Sequence, residues 1–258
     1  TGELVNIQRG DKFFVADEGG LHLDAFRAPT DNDNWTCNAW VQNGLDRLQH
    51  RVTDYESTSL SDGRTFVRFT VESQAAHPAR LVYSNRDRNP EDVYTVIEDK
   101  SLTCDFKFTS HLVYTIYPDG AVELQSAITS NNPSLDLPRI GYSMKMPKEY
   151  NHYVYYGRGP ENNYNDRRTG QFVETHYRRI TQDIPLPHPQ AMGNREEVRW
   201  CQLTDMRGDG LLFMPTVNSS SDAYGVTVMS SSALPYTQQE LMGAAHPYQL
   251  PASSGTVL

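Results

Sequence analysis

Six carboxylates in turn-like segments are the side chains of this chain best suited to acid–base chemistry. They are Asp31, Asp33, Glu161, Asp166, Glu196 and Glu197. A glycosidase holds two carboxylates roughly 5 to 10 Å apart across a sugar, a distance that spacing along the chain does not reveal. Charged residues in turns are usually solvated. We therefore interpret every pair among these six as structural and predict no catalytic residue in this chain.

The segment Thr30–Asn34 resembles the start of a calcium-binding loop, because oxygen-bearing side chains follow one another. The pattern then fails, since, counted from Asp31, the sixth position holds Thr36 instead of Gly and the twelfth holds Gln42 instead of Glu. We interpret the segment as a turn held by Asx hydrogen bonds, in which Arg27 neutralises the acids.

Histidine and cysteine are too scattered to predict a metal site. The eight histidines show no metal-ligand spacing, and Cys37, Cys104 and Cys201 form no C-x-x-C pair. The sequence therefore predicts neither a metal nor a cofactor in this chain.

One tryptophan is placed to contact a sugar. Sugar sites usually combine an aromatic face with planar polar groups, and Trp35 lies in a polar turn directly after Asp33 and Asn34. Trp40 precedes an amphipathic segment and Trp200 lies in an alternating one, so both are predicted to pack in the core.

Alternation of apolar and polar residues dominates the rest of the chain and predicts strands. It covers Val67–Val71, Leu112–Ile116, Val122–Ile128, Ile140–Met146 and Tyr224–Val228. Turn signals such as Asp62-Gly63, Pro118-Asp119-Gly120 and Gly208-Asp209-Gly210 separate these runs. The pattern indicates an all-β, antiparallel sandwich.

Helical signals are few. Val41, Leu45, Leu48 and Val52 follow a helical period, with Asn38 placed to cap, and a second short helix is predicted from Thr237 to Met242. Because no long linker interrupts the chain, one large sandwich is favoured over two small domains.

Charge and hydropathy exclude two classes of partner. The net charge of -9 and the isoelectric point near 5.3 argue against nucleic acid, which needs a clustered positive surface. No apolar run approaches the roughly 20 residues of a membrane span. We expect a soluble protein in the cytoplasm or periplasm of a bacterium, with its oligomeric state left open.

Three separated motifs resemble a known family. They are Phe26–Asp33, Gly157-Arg158-Gly159-Pro160 and Asn163-Tyr164-Asn165-Asp166-Arg167, and Tyr236–Met242 extends the likeness. In this order they resemble the C-terminal small-chain domain of family 2 β-galactosidases. The resemblance implies a galactose-mutarotase-like supersandwich spanning residues 1–258 as a single domain, truncated at both ends, so that the family's Trp segment at the galactose site would follow Leu258.

The resemblance also implies a division of labour within a longer enzyme. The parent would hydrolyse terminal non-reducing β-D-galactose residues with retention, using two glutamates on a (β/α)8 barrel that also carries any magnesium ion. The present chain would then be inactive alone and without a cofactor of its own. Its partners would be the parent's other domains and the galactoside at the domain edge.

The resemblance also implies roles for individual residues of this chain. The resemblance implies a substrate-proximal loop at Asn34, Trp35 and Thr36. It assigns structural roles to Arg27, Asp31, Asp33, Arg158, Asn163, Tyr164, Asp166 and Arg167. Acids usual in the family are missing here, because Asn162 and Ala191 stand in their segments.

Two other functions remain open. Mutarotases share the implied sandwich and use a His acid with a Glu base, so His111, His152 or His176 is a candidate in a stand-alone aldose mutarotase or epimerase. A non-catalytic carbohydrate-binding module with Trp35 as its anchor is the third interpretation.

Overall fold

The computed structural model describes residues 1–83, 93–216 and 220–258. Within them the chain forms eighteen strands and two short α-helices. The strands are β1 (Gln8–Arg9), β2 (Lys12–Phe13), β3 (His22–Asp24), β4 (Leu48–Ser59), β5 (Thr65–Ala75), β6 (Ala79–Tyr83), β7 (Tyr94–Glu98), β8 (Phe108–Ile116), β9 (Val122–Ser130), β10 (Gly141–Ser143), β11 (Lys145–Pro147), β12 (His152–Gly159), β13 (Phe172–Arg179), β14 (Arg195–Val198), β15 (Trp200–Thr204), β16 (Gly210–Phe213), β17 (Met229–Ser231) and β18 (Gly255–Val257).

The helices are α1 (Cys37–Gln42) and α2 (Gln238–Met242), and 3-10 turns cover Asp31–Asp33, Leu45–Arg47, Ile180–Gln182 and Pro247–Gln249. The chain divides into two compact units. The first takes in Thr1–Glu3 and the described parts of His22–Asn85 and Tyr94–Tyr142. The second takes in Leu4–Leu21 and the described parts of Arg86–Val93 and Ser143–Leu258.

The first unit is built on an antiparallel sheet in the order β4-β5-β8-β9. Alternate residues of its strands face the core, where Val71, Leu112 and Tyr114 are buried. Its hairpins turn at Gly63 and Gly120, whose φ angles of 86° and 91° lie in the left-handed region that favours glycine. The strands and turns predicted here are confirmed.

The helix predicted from Val41, Leu45, Leu48 and Val52 is wrong beyond its first turn. After α1, Gly44 adopts φ 74°, a left-handed conformation that ends a helix. Leu48 and Val52 instead lie in β4, paired with β5. A spacing of four residues fits the two-residue period of a strand as well as a helical turn, which explains the error.

The N-terminal caps of the two helices differ from each other, and only the second helix has the extent predicted from the sequence. Asn38 lies inside α1, where its Oδ1 accepts a hydrogen bond from Leu81 N at 3.2 Å, and Thr36 is the N-cap. At α2, Thr237 Oγ1 accepts from Glu240 N at 3.1 Å while Glu240 Oε2 accepts from Thr237 N at 2.7 Å. This capping box confirms the second predicted helix.

The second unit contains an antiparallel sheet in the order β13-β12-β15-β16. One face of this sheet carries Tyr153 and Tyr155, whose rings stack 4.9 Å apart in the core. The cluster of buried residues around them comprises Phe14, Val15, Met144, Met146, Tyr150, Ile180, Val198, Cys201, Leu203 and Ala233.

The strand predicted over Tyr224–Val228 is wrong. Asp222 Oδ1 accepts hydrogen bonds from the backbone N–H groups of Tyr224 and Val226, both at 2.9 Å, and Gly225 has φ 77°. An Asx side chain that captures nearby backbone donors folds the segment into a turn. Tyr224 and Val226 are exposed there, so the apparent alternation does not mark a buried face.

The predicted all-β fold class with two short helices is confirmed. That the two compact units act as one domain over residues 1–258 stays a prediction.

Candidate functional site

The predicted sugar-facing loop, Asn34 to Thr36, joins the 3-10 turn at Asp31–Asp33 to α1. Trp35 at its centre is 81% exposed. The base of the loop is fixed, because the buried Tyr94 donates from Oη to Asn34 Oδ1 at 2.5 Å and Thr36 N donates to Asp33 O at 2.9 Å. These hydrogen bonds hold the two ends of the loop in place, while the Trp35 indole at its centre is exposed to solvent.

Arg27 and Asp33 form the ion pair that holds the turn before this loop. Arg27 Nη1 and Nη2 lie 2.5 and 3.0 Å from the two carboxylate oxygens of Asp33. Thr30 adds two hydrogen bonds to Asp33 Oδ2, from its N at 2.7 Å and its Oγ1 at 2.8 Å. Burial acts to raise the pKa of Asp33, but these hydrogen bonds outweigh it and lower that pKa below its usual value.

Besides its ion pair with Asp33, Arg27 has a second contact, and Asp31 lies nearby. The Arg27 guanidinium also lies 5.1 Å from the ring centroid of the buried Trp40, a cation–π contact. Asp31 is exposed. The structure thus joins Arg27 to Asp33, while Asp31 lies at the surface of the same turn.

Asn163 is the centre of the second motif, in the second unit. Its side chain is fully buried, and its Nδ2 donates to Arg158 O at 3.0 Å and Glu161 O at 2.9 Å. Its Oδ1 accepts from Glu196 N at 3.0 Å, and its backbone exchanges two hydrogen bonds with Asn194. One amide therefore satisfies donors and acceptors from three segments, as a structural residue does.

Arg158 belongs to a network of ion pairs around Glu197. Glu197 Oε1 lies 2.8 Å from Arg158 Nε and 3.2 Å from Arg168 Nη1, and its Oε2 lies 3.8 Å from Arg199 Nη1. Arg199 also pairs with Asp222. Glu197 adopts φ 52°, an uncommon conformation for a residue other than glycine.

The remaining residues of this motif lie nearer to solvent. Tyr164 and Arg167 are linked by backbone hydrogen bonds of 3.2 and 2.9 Å, and the Arg167 guanidinium lies 5.4 Å from the Tyr164 ring centroid. Arg167 Nη2 donates to Asn162 Oδ1 at 2.6 Å. Asp166 is exposed.

A buried cluster that the sequence did not reveal lies around Arg195. This residue is 0% exposed, and its Nη2 lies 2.8 and 2.9 Å from the two carboxylate oxygens of Asp183. Its Nε donates to Tyr155 Oη at 2.9 Å, and Arg178 Nη2 lies 3.2 Å from Asp183 Oδ1. No local pattern in the sequence identifies this ion pair, because Asp183 lies twelve residues before Arg195 and outside the strand that carries it.

The three histidines of the mutarotase interpretation lie in different surroundings. His111 is exposed on β8, with Nδ1 3.2 Å from Thr70 Oγ1. His176 is buried on β13 with its ring centroid 4.9 Å from that of Tyr155, and His152 begins β12. Within residues 1–83, 93–216 and 220–258, none of the three is paired with a carboxylate.

Neither a metal-binding cluster nor a membrane-spanning helix is found among the described residues. No group of three or more His, Cys, Asp and Glu in this part of the chain is arranged to hold a metal ion. Among the helices found in the same part, none has the length and apolar character of a membrane span.

Comparison with known proteins gives a consistent family. The whole chain, residues 1–258, matches the family described as "Beta galactosidase small chain". A β-galactosidase of Halalkalibacterium halodurans is 32% identical over 262 residues, covering 100% of this chain and 22% of that protein. One of Priestia megaterium is 26% identical over 245 residues, covering 93% of this chain and 19% of that protein.

A β-galactosidase of Lactobacillus delbrueckii subsp. bulgaricus is 31% identical over 170 residues, covering 58% of this chain and 16% of that protein. The chain thus spans about a fifth of the length of the first two curated relatives. With the motif geometry described above, the match over every residue shows that this chain belongs to the β-galactosidase small-chain family.

Proposed function

We propose that this chain is the small-chain domain of an enzyme that hydrolyses terminal non-reducing β-D-galactose residues with retention. In this proposal the two catalytic glutamates, and any magnesium ion, belong to the remainder of the parent. The chain packs against the other domains and supplies the edge of the sugar site. Family membership supports the proposal, as do the names of the relatives.

Trp35 carries the part of the proposal that concerns the sugar site. Trp35 is mostly exposed on a loop that other hydrogen bonds hold in place, so its side chain contributes little to the stability of its own unit. An indole face packs well against the C–H face of a pyranose while leaving the hydroxyl groups to polar partners. Asn34 and Thr36 lie beside it as polar neighbours, although Asn34 Oδ1 already accepts from Tyr94.

The test is a comparison of Trp35→Ala with Trp35→Phe in the whole β-galactosidase that contains this chain. Loss of an aromatic contact worth about 0.5–1.5 kcal/mol raises KM for a galactoside by roughly two- to tenfold, and Phe restores part of it. Tyr248 is 75% exposed, so Tyr248→Ala provides a matched control that also removes an exposed aromatic side chain. Equal KM values for Trp35→Ala and the unaltered enzyme would remove Trp35 from the sugar site.

The division of labour is tested on the chain by itself. We expect no turnover of nitrophenyl β-D-galactoside by the purified 258-residue chain, because retaining hydrolysis needs a carboxylate pair that we assign elsewhere. Hydrolysis that follows the chain through several chromatographic steps would show that it holds catalytic groups of its own.

A further inference from the structure

The outward face of the sheet β13-β12-β15-β16 is unusually rich in aromatic side chains. Strand register places Tyr156 opposite Trp200, and Tyr177 opposite Val154, on the side that points away from the core residues Tyr153 and Tyr155. The same register adds Gln202 and Leu212, which are paired with each other. We call Tyr156, Tyr177, Trp200, Gln202 and Leu212 the aromatic face.

These side chains are accessible within the second unit. Tyr177 is 77% exposed, Leu212 is 57% exposed and Tyr156 is 38% exposed, while Trp200 is half-buried. The outward face of a solvated antiparallel sheet is normally polar. The sheet β4-β5-β8-β9 of the first unit follows that rule, because its outward side carries the ion pairs Arg51–Glu72 and Arg68–Glu56.

Fixed polar groups border the aromatic face. The Arg199 guanidinium lies 5.7 Å from the Tyr156 ring centroid, and Arg158, two residues after Tyr156, enters the ion pairs around Glu197. Three arginines there face the two carboxylates of Glu197 and Asp222, so that the charge is nearly balanced.

The Gln202 side-chain amide is a second polar group at this surface. It makes no hydrogen bond to any described residue and stands between Val154 and Leu212 in register, two residues after Trp200. An amide beside an aromatic ring can donate to one sugar hydroxyl and accept from another.

We infer that the aromatic face is a binding surface for a neutral oligosaccharide. Aromatic rings offer stacking surfaces to pyranose C–H faces, and the planar amide and guanidinium groups bind hydroxyls. Because the bordering arginines are already paired with carboxylates, they offer little free charge to an acidic polymer, and the chain's net charge of -9 also disfavours one. Tyr177 and Trp200 lie two strand spacings apart and are offset by two residues along the strands, about 12 Å in all, so the surface spans more than one sugar ring.

A protein partner is the competing occupant, since Tyr, Trp and Arg are also enriched at protein interfaces. The core of such an interface is a contiguous apolar patch. On the aromatic face, Arg199 lies beside Tyr156, Gln202 follows Trp200 on one strand and Thr175 precedes Tyr177 on another. This interleaving favours the oligosaccharide. The surface does not involve Trp35, so the proposed role of Trp35 is tested separately.

Trp200 supplies the signal for the experiment. In a Trp35→Phe background, the remaining tryptophans are the buried Trp40 and the half-buried Trp200. We expect β-1,4-galactotriose to change the tryptophan emission of this variant saturably. Adding Tyr177→Ala or Gln202→Ala to the background should weaken binding by roughly two- to tenfold, whereas Tyr248→Ala should leave it unchanged. Maltotriose serves as the stereochemical comparison.

Two results would overturn the inference. One is the absence of a saturable change with either trisaccharide, given that far-UV circular dichroism shows the variant to be folded. The other is evidence that protein covers the aromatic face. That evidence would be a change in the sedimentation coefficient of the chain when Tyr177 is replaced by Ala, or slower hydrogen exchange of the β13 amides in the whole parent protein than in the chain alone. Either form of that second result would assign the aromatic face to a protein interface.

Discussion

Arg195 and Asp183 form an ion pair inside the second unit, where Nη2 of the arginine lies 2.8 and 2.9 Å from the two carboxylate oxygens. The arginine is shielded completely from solvent. Its remaining contacts to Tyr155 Oη and Asn194 O are 2.9 and 3.1 Å long, so the charge is hydrogen-bonded as well as paired. Removal of Asp183 would leave the buried Arg195 without an anion, whereas removal of Arg195 would leave Asp183 paired with Arg178 alone.

We therefore expect Asp183→Asn to lower the free energy of unfolding by about 3–5 kcal/mol, because both Arg195 and Arg178 lose their anion. Arg195→Met should cost less, because Asp183 keeps its ion pair with Arg178. The double variant should cost less than the sum of the two single changes. Urea titrations of the four proteins measure this cycle, and full additivity would show that the pair does not act as a unit.

Gly44 combines a left-handed backbone with a close neighbour. A Cβ atom added to it would lie 2.3 Å from the Cβ of Ala75, and its φ is 74°. Gly120 has φ 91° with nothing within 4 Å of an added Cβ. Gly120→Ala should cost about 1 kcal/mol for the backbone alone, and Gly44→Ala about 1–3 kcal/mol more for the clash. Equal costs in chemical denaturation would mean that Ala75 moves aside freely.

Sequence reasoning predicted the elements whose signals are local. The hairpins at Gly63 and Gly120 and the short helix that ends at Met242 needed only neighbouring residues to be recognised. The extended helix failed because the spacing from Leu48 to Val52 fits both periods, and only the pairing with β5 decides between them. Tertiary pairing thus overrides a pattern that is ambiguous over four residues.

The site was predictable only where the chain brings partners close in sequence. Arg27 and Asp33 are six residues apart, and their pairing followed from the turn between them. Arg158 and Glu197 are far apart, and no periodicity indicates that β12 and the end of β14 bring them together. Their ion pair depends on strand order, which a single sequence does not reveal.

Asn163 offers a direct test of the structural role predicted for the second motif. Asn163→Asp replaces an amide that donates to two backbone carbonyls with an acceptor facing both of them. We expect a loss of about 2–4 kcal/mol at neutral pH, because two acceptors lose their donor and a charge is buried. The loss should shrink at acid pH, where a protonated carboxyl can donate to one carbonyl.

The exposed Asn165 provides the matched control, since Asn165→Asp adds the same charge two residues away. This change should alter stability by no more than about 0.5 kcal/mol. If both variants unfold at the same denaturant concentration as the unaltered chain, Asn163 does not hold the motif together.

His50 should make the first unit sensitive to acid. Burial, followed by the neighbouring His22, lowers the pKa of His50 to about 4, while Asp24 acts in the opposite direction. The two imidazole centroids are 5.5 Å apart, and His50 Nδ1 lies 2.8 Å from Ser73 Oγ. In the unfolded chain the pKa returns to roughly 6.5, so the unfolded state binds the additional proton between pH 6.5 and 4.

Stability should therefore be complete above about pH 6.5 and fall as the pH drops toward 4, with a contribution on the order of 2 kcal/mol for this partly exposed group. His50→Asn keeps a polar partner for Ser73 but removes the titration, and it should flatten the curve of unfolding free energy over this interval. His111→Asn, on the exposed side of the same sheet, is the control and should leave the slope as it is. Urea titrations at half-unit pH steps decide the matter, and an unchanged acid slope in His50→Asn would assign the acid sensitivity to other groups.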